Sequence, residues 1–142
     1  TGKYYNASIM EKMKSRKEMP MLKVMDFISD MGAAYKAADL VISRAGASSI
    51  SEFCLIGKPV ILVPSPNVAE DHQTKNAMAL VNKDAALMVK DVDAPKEVIS
   101  LALATVMDEK KLSTLSENVK KLGLPASADI IADEVLKLAE KK

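Results

Sequence analysis

Hydrophobic runs of strand length alternate with helical hydrophobic spacing, most clearly between residues 39 and 64. Residues 39–43 are aliphatic and β-branched, which is typical of a buried strand. Apolar residues then recur near helical spacing from Ile50 to Ile56, and Gly57 indicates the end of that helix. Residues 59–63 are again aliphatic and predict a second strand. This stretch therefore predicts a strand–helix–strand unit around which the chain is organised.

The alternation continues on both sides of that unit. Residues 22–28 alternate in polarity and predict a strand, and Ser29-Asp30 is expected to cap the short helix that follows. Residues 85–89 predict a fourth strand. The C-terminal helices are expected to turn three stripes inward: Val98, Ala102, Leu103 and Val106; Leu112, Leu115, Val119 and Leu122; Ile131, Val135 and Leu138. Strands alternating with helices predict an α/β fold, a parallel sheet with helices on both faces.

Composition narrows the functional classes. The 142 residues suit one domain, and the formal net charge of +1 gives no general attraction for nucleic acid. No apolar run approaches the ~18 residues that a membrane helix needs, so no membrane-spanning helix is expected; separately, we expect no membrane contact by this chain itself. The single cysteine, Cys54, indicates a reducing compartment, and its position on the apolar side of a predicted helix favours a buried role.

Small residues occupy the junction between the first strand of the central unit and its helix. The segment from Arg44 to Ser49 is RAGASS, which lets other atoms approach the backbone closely. A helix start directs unpaired N–H groups and the positive end of the helix dipole outward. In a parallel sheet ligands bind beyond the carboxyl ends of the strands, where this junction lies. The sequence therefore predicts an anion site here, most simply for a phosphate.

Glu52 is the most informative single residue near that junction. It follows Ser49 by three positions and Ser48 by four, so the three side chains share one helical face. A carboxylate one turn beyond a phosphate site is suited to accept hydrogen bonds from the two hydroxyls of a ribose. The alternative is an ordinary solvated helix glutamate, and spacing alone leaves both interpretations open.

Three further polar residues follow at the same sheet edge. His72 and Gln73 open a helix after a proline-rich loop, and both can exchange hydrogen bonds with sugar hydroxyls. A histidine at a helix start is also common surface decoration. Arg44 ends its strand where it can meet a pyrophosphate or pair with a nearby acid. Asn76, one turn beyond His72 and Gln73, is placed to brace the loop.

Metal and nucleophile motifs are weak in this sequence. Asp91-Val92-Asp93 is a D-x-D triplet, a pattern that holds a divalent metal in some sugar transferases. Here it precedes Ala94-Pro95 after a strand, so ordinary turn chemistry is the simpler interpretation. One histidine and one cysteine do not make a zinc site. We expect no metal and no cofactor, and we find no Ser-His-Asp arrangement, P-loop or complete G-x-G-x-x-G.

Three motifs together resemble a known family. ADLVISRAGASSISE, GKPVILVPSP and EDHQTKNA occur in the order and spacing of the MurG family of bacterial N-acetylglucosaminyltransferases. That family transfers N-acetylglucosamine from UDP-GlcNAc to lipid-linked muramoyl-pentapeptide, converting lipid I to lipid II in peptidoglycan synthesis. The resemblance runs from about Thr1 to the C-terminus. It implies the Rossmann-like C-terminal half of a GT-B glycosyltransferase.

The resemblance also implies roles for individual residues. The backbone of Ile28 would hold the uracil, and Glu52 would hold the ribose hydroxyls. His72 and Gln73 would contact the GlcNAc, at a place where many family members carry Gln-Gln. Arg44 matches the family motif, with its role left open. The helix start near the diphosphate and sugar would consist of Gly46, Ala47, Ser48 and Ser49.

By the same resemblance, residues 1–142 form a partial UDP-GlcNAc-binding domain. The family's first donor-domain strand, its Gly-rich loop and its N-terminal domain for the lipid I acceptor are expected to lie outside this sequence. No catalytic residue is then expected in this chain, and the fragment alone is expected to be inactive. The full-length protein is expected to be cytoplasmic and peripheral on the cytoplasmic face of the inner membrane.

Two other hypotheses stay open. A stand-alone nucleotide-sugar-binding subunit that needs a partner chain would be related, but its own first strand and Gly-rich loop are not found in this sequence. A non-catalytic binding module would have no need of Glu52 or Gln73, whose presence counts against it.

Overall fold

The computed structural model describes residues 7–11, 22–66 and 71–140. The chain divides into two compact units, Thr1–Ala37 and Ala38–Lys142. Among the residues so described, no helix combines the length and the apolar content that crossing a membrane requires.

In the first unit, residues 7–11 are helical. The helix labelled α1 spans Met31–Ala37. Asp30 caps α1 as predicted, because its Oδ1 accepts a hydrogen bond from the Ala33 N–H at 2.8 Å. The predicted strand at residues 22–28 is wrong. These residues have no regular structure, and Leu22 and Phe27 are 49% and 73% exposed. Alternating polarity does not make a strand where no neighbouring strand is present to complete its hydrogen bonds, and the described part of this unit contains none.

The second unit is built from three strands and five helices within its described residues. Its elements in chain order are β1 (Val41–Ser43), α2 (Ala47–Ile56), β2 (Val60–Leu62), α3 (His72–Val81), β3 (Leu87–Met88), α4 (Ala94–Val106), α5 (Glu109–Lys120) and α6 (Ser127–Glu140). The strands form one parallel sheet in the order β1-β2-β3. Val41 is paired with Val60, and Ile61 with Leu87. The predicted α/β class with a parallel sheet is confirmed.

The core lies around the central strand. All three residues of β2 have no exposed surface, and Phe53 of α2 is 1% exposed. Helix α2 packs against α3 and α5, and α4 packs against α5. Burying a side chain of this size is typically worth about 1.5–3 kcal/mol, so the sheet and α2 contribute strongly to the stability of the unit.

Helix α2 begins and ends where its glycines predict. Gly46 is the N-cap in an extended conformation, and Gly57 follows the helix at a φ of 66°. The N–H groups of Gly57 and Lys58 both bond to the Phe53 carbonyl, which satisfies the helix end. A left-handed residue is required at this place, and glycine adopts it without steric cost.

The inward stripes of the last three helices are only partly as predicted. In α5, Leu115 and Val119 are buried, as expected. In α4, Thr105 is buried instead, and Leu103 is 65% exposed. In α6, the predicted stripe of Ile131, Val135 and Leu138 is 64%, 59% and 67% exposed. The spacing correctly identifies an apolar face on α6, but no described residue of this unit covers it.

Candidate functional site

The candidate site lies at the carboxyl edge of the sheet, where β1 and β2 end side by side. The Val63 N–H bonds to the Ser43 carbonyl at 2.8 Å, so the two strand ends are locked together. The turn from β1 to α2 and the loop from β2 to α3 both leave from this edge. Parallel sheets place their ligands at such an edge.

The start of α2 is open toward solvent. Gly46 has φ −68° and ψ 144°, and no side chain caps the helix within the described residues. A Cβ added at Gly46 would meet no described atom within 4 Å. Ala47 and Ser48 are exposed, and Ser49 is half-buried. The first N–H groups of the helix and its positive dipole end are therefore accessible to an anion.

Glu52 lies one turn further along α2 and is exposed. The helix spans Ala47–Ile56, so the predicted shared face of Glu52 with Ser48 and Ser49 follows from regular helix geometry.

Arg44 ties the ends of all three strands together. Its Nη1 donates to the Asp91 carboxylate and to the Val63 carbonyl at 3.2 Å, with a longer contact of 3.5 Å to the Pro64 carbonyl. The alternative of pairing with a nearby acid is thus realised, and the acid is Asp91. All three acceptors are reached by Nη1. Nε and Nη2 bond to no residue in the described ranges, and 55% of the side chain is exposed.

Gln73 bridges the two loops of the site. Its Oε1 accepts hydrogen bonds from the Ala45 N–H at 3.2 Å and the Ser65 N–H at 2.9 Å. Asn76 donates from Nδ2 to the Ala45 carbonyl at 3.2 Å, so it braces the β1–α2 turn and not the proline-rich loop for which that role was predicted. Sequence reasoning missed that the two side chains share one backbone target. Their spacing of three on a helix was the available signal.

Two further predicted site residues, His72 and Ile28, belong to different units of the chain. His72 is the first residue of α3 and is exposed, next to Gln73. Asp71 occupies the N-cap position, but at a φ of 54° its side chain does not cap the helix. Ile28 belongs to the first unit, where it is 40% exposed and lines an apolar pocket with Phe27 and Met31.

Two side chains that could have taken part in chemistry, those of Asp91 and Cys54, have structural roles instead. Asp91 of the D-x-D triplet is paired with Arg44. Within the described ranges, no three or more His, Cys, Asp or Glu residues are grouped as a metal site requires. Cys54 is 6% exposed, and its burial raises the pKa of the thiol above the ordinary value. A neutral buried thiol is a poor nucleophile, in agreement with the predicted core role.

Known proteins match this chain over nearly all of its length. A Bacteroides thetaiotaomicron protein named UDP-N-acetylglucosamine--N-acetylmuramyl-(pentapeptide) pyrophosphoryl-undecaprenol N-acetylglucosamine transferase is 64% identical over 140 residues. That match covers 99% of this chain and 38% of the relative. A Porphyromonas gingivalis protein of the same name is 53% identical, with coverages of 99% and 37%. The chain therefore spans little more than a third of the length of these relatives.

A solved structure and a family model agree with these matches. The crystal structure of Acinetobacter baumannii MurG superposes with a TM-score of 0.82 at 28% identity, covering 96% of this chain and 41% of that one. The model of the glycosyltransferase family 28 C-terminal domain matches residues 1–131. The resemblance seen in the three sequence motifs is confirmed, as is the fold that it implied. The chain belongs to glycosyltransferase family 28, as a C-terminal domain of that family.

Proposed function

We propose that this chain is the donor-binding part of an inverting glycosyltransferase that moves N-acetylglucosamine from UDP-GlcNAc to lipid-linked muramoyl-pentapeptide. The observation that carries the proposal is the open start of α2, where Gly46 and exposed small residues lie at the carboxyl edge of a parallel sheet. The printed names of the Bacteroides and Porphyromonas relatives support the same donor and acceptor.

In this proposal the start of α2 binds the diphosphate of the donor. The N–H groups from Gly46 to Ser49 would donate to its oxygens, and the helix dipole would add a favourable field. The Nε and Nη2 atoms of Arg44 are suited to the same diphosphate while Nη1 keeps its present acceptors. Glu52 would accept from the ribose hydroxyls. His72 and Gln73 would contact the GlcNAc, and the uracil contact of Ile28 stays a prediction from the family resemblance.

The reaction would be a single displacement. A base takes the proton of the acceptor hydroxyl, and that oxygen attacks the anomeric carbon. The bond from this carbon to the diphosphate oxygen breaks, and its electron pair leaves with UDP. The N–H groups of α2 would stabilise the negative charge that develops on the diphosphate. We assign no base to this chain. Because the acceptor is lipid-linked, we propose that transfer takes place at a membrane surface, which the family resemblance implies is the cytoplasmic face.

Calorimetric titration of the chain with UDP, UDP-GlcNAc and UMP tests the proposal. UMP is the matched control, because it keeps the uridine and lacks the second phosphate. Hydrogen bonds to a charged group are worth about 1.5–3 kcal/mol, so UMP should bind at least about 10-fold more weakly than UDP. Equal affinities for UMP and UDP, or no binding of either, would contradict the proposed role of the helix start.

A further inference from the structure

Two side chains of α3 hold a single residue of the β1–α2 turn by both of its backbone groups. Gln73 accepts from the Ala45 N–H and Asn76 donates to the Ala45 carbonyl, each over 3.2 Å. Ala45 has no exposed surface, so water cannot replace either bond. The next residue is Gly46, and the direction in which α2 begins is therefore set by the peptide groups of Ala45.

The Gln73 oxygen has a second task. It also accepts from the Ser65 N–H, and Ser65 follows β2 much as Ala45 follows β1. One side-chain oxygen thus fixes the spacing of the two loops that form the edge of the site. A carbonyl oxygen has two lone pairs, and these two bonds occupy both.

This arrangement fixes the orientation of the Gln73 amide. A flipped amide would put its NH₂ group against two backbone N–H donors, so four N–H donors would face one another with no acceptor. Toward a ligand, Gln73 can therefore present only its Nε2 donor. A glutamate at this position would keep both loop bonds but present a second acceptor oxygen in place of that donor.

We propose that Gln73 and Asn76 are positioning residues for the donor diphosphate, and that Gln73 selects the sugar solely by donating from Nε2. By holding Ala45, the pair aims Gly46 and the first N–H groups of α2 at the ligand. The inference rests on the proposed function, since it assigns how the same site is kept in its binding conformation. Asn76 bonds to Ala45 and acts through it, without touching the ligand.

The bonds from Gln73 to the Ala45 and Ser65 amides form a clamp between the two loops. Amide hydrogen exchange tests this clamp without any ligand. In the parent chain the Ala45 and Ser65 amides should both be protected, and Gln73→Met should lower both protections together by about 10-fold or more, as the loss of a buried bond implies. Gln73→Glu should preserve both. Unchanged exchange of these amides in Gln73→Met would overturn the clamp.

UDP affinity tests the positioning role, with a matched control elsewhere in the unit. Asn118 Nδ2 donates to the Asp84 carbonyl at 3.2 Å, which is the same kind of bond at the opposite, amino edge of the sheet. Asn76→Ala should weaken UDP binding by about 10-fold, whereas Asn118→Ala should leave it unchanged at a comparable melting temperature. Equal UDP affinities of these two variants would contradict the positioning role of Asn76.

The donor-only role of Gln73 has its own readout. Gln73→Glu should reduce the ratio of UDP-GlcNAc affinity to UDP affinity, because the carboxylate can no longer donate to the sugar. UDP carries about one more negative charge than UDP-GlcNAc near neutral pH, so repulsion by the new carboxylate would by itself raise this ratio, and a fall reports the lost sugar contact. An unchanged ratio would refute sugar selection by Nε2. If the parent binds no UDP, the proposed function fails and the diphosphate role with it, while amide exchange still decides the clamp.

Discussion

At the scale of single residues, the proposed site depends on side chains whose chemistry is set by their place on one helix. Glu52 and Cys54 are two positions apart on α2, yet one is exposed and the other is buried. An exposed carboxylate can be removed with little effect on packing, and a buried thiol cannot react without unfolding. We therefore expect substitution of Glu52 to change ligand binding with little effect on stability, and Cys54 to affect stability.

Glu52→Ala should weaken UDP binding by about 10- to 100-fold, since a hydrogen bond to a charged group is worth about 1.5–3 kcal/mol. The melting temperature should change little, because the position is exposed. Titrations with UDP and 2′-deoxy-UDP provide the measurement. The parent should prefer the ribonucleotide and the variant should barely distinguish the two ligands. A variant that keeps the preference for ribose would show that Glu52 does not contact the diol.

Cys54 should react slowly with thiol reagents in the native chain and rapidly in denaturant. Because burial raises the pKa of the folded thiol above that of the unfolded one, the unfolded chain loses its proton first as pH rises. The contribution of the neutral Cys54 thiol to the free energy of unfolding is therefore fully present at neutral pH and declines above about pH 8.5. Urea unfolding at several pH values should show a steeper alkaline loss in the parent than in Cys54→Ala. Parallel curves would contradict this.

At the scale of elements, α2 is terminated by two glycines that serve different purposes. Gly57 needs its left-handed backbone, whereas Gly46 has an ordinary extended backbone and open space in front of it. One glycine is required by the chain itself, and on our proposal the other is required by the ligand. Substituting each in turn separates stability from binding.

Gly57→Ala should lower the free energy of unfolding by about 1–2 kcal/mol, the cost of a left-handed non-glycine residue. Its new Cβ would also lie 3.2 Å from the Lys120 Cβ. UDP affinity should be unaffected. Gly46→Ser should do the reverse: serine is a favoured N-cap, so stability is kept, but its side chain occupies the N–H groups that the diphosphate needs. Chemical denaturation and UDP titration of both variants check this, and a Gly46→Ser chain with full UDP affinity would contradict it.

At the scale of the whole second unit, the Arg44–Asp91 pair links the end of β1 to the segment after β3. A double-mutant cycle with Arg44→Ala and Asp91→Ala should give a coupling of about 0.5–1 kcal/mol that falls as salt is added. The exposed Lys137–Glu134 pair of α6 is the control and should couple more weakly, because it joins neighbours on one helix. Additive single substitutions would show that the Arg44–Asp91 pair does not hold the strands.

The same pair bears on metal dependence. Because Asp91 already accepts from Arg44, we expect UDP affinity to be the same with EDTA as with added manganese. The helix start would neutralise the diphosphate in place of a cation. A loss of UDP affinity in EDTA that manganese restores would identify Asp91 and Asp93 as metal ligands.

Local signals in the amino-acid sequence were enough to predict the central strand–helix–strand unit. The aliphatic runs, the helical spacing from Ile50 and the stop at Gly57 are local signals, and β1, α2 and β2 follow them within one or two residues. The small residues before Ser49 likewise predicted where α2 begins, since the start of a helix depends on local backbone geometry, and the anion site there stays a prediction. Family membership was predicted from three motifs and their order in the sequence, and the family model confirmed it.

Which surfaces and side chains meet could not be predicted from local signals and depends on how the elements pack. Helical periodicity identified the apolar face of α6, but it could not show that the described residues leave this face exposed. Alternating polarity predicted a strand at residues 22–28, but it could not show that no neighbouring strand is described there. The bonds that shape the site join residues far apart in sequence: Ala45 to Gln73 across 28 positions, Ala45 to Asn76 across 31 and Arg44 to Asp91 across 47. Local propensity acts over one or two turns of chain, whereas such contacts exist only after the strands have paired and brought their ends to one edge.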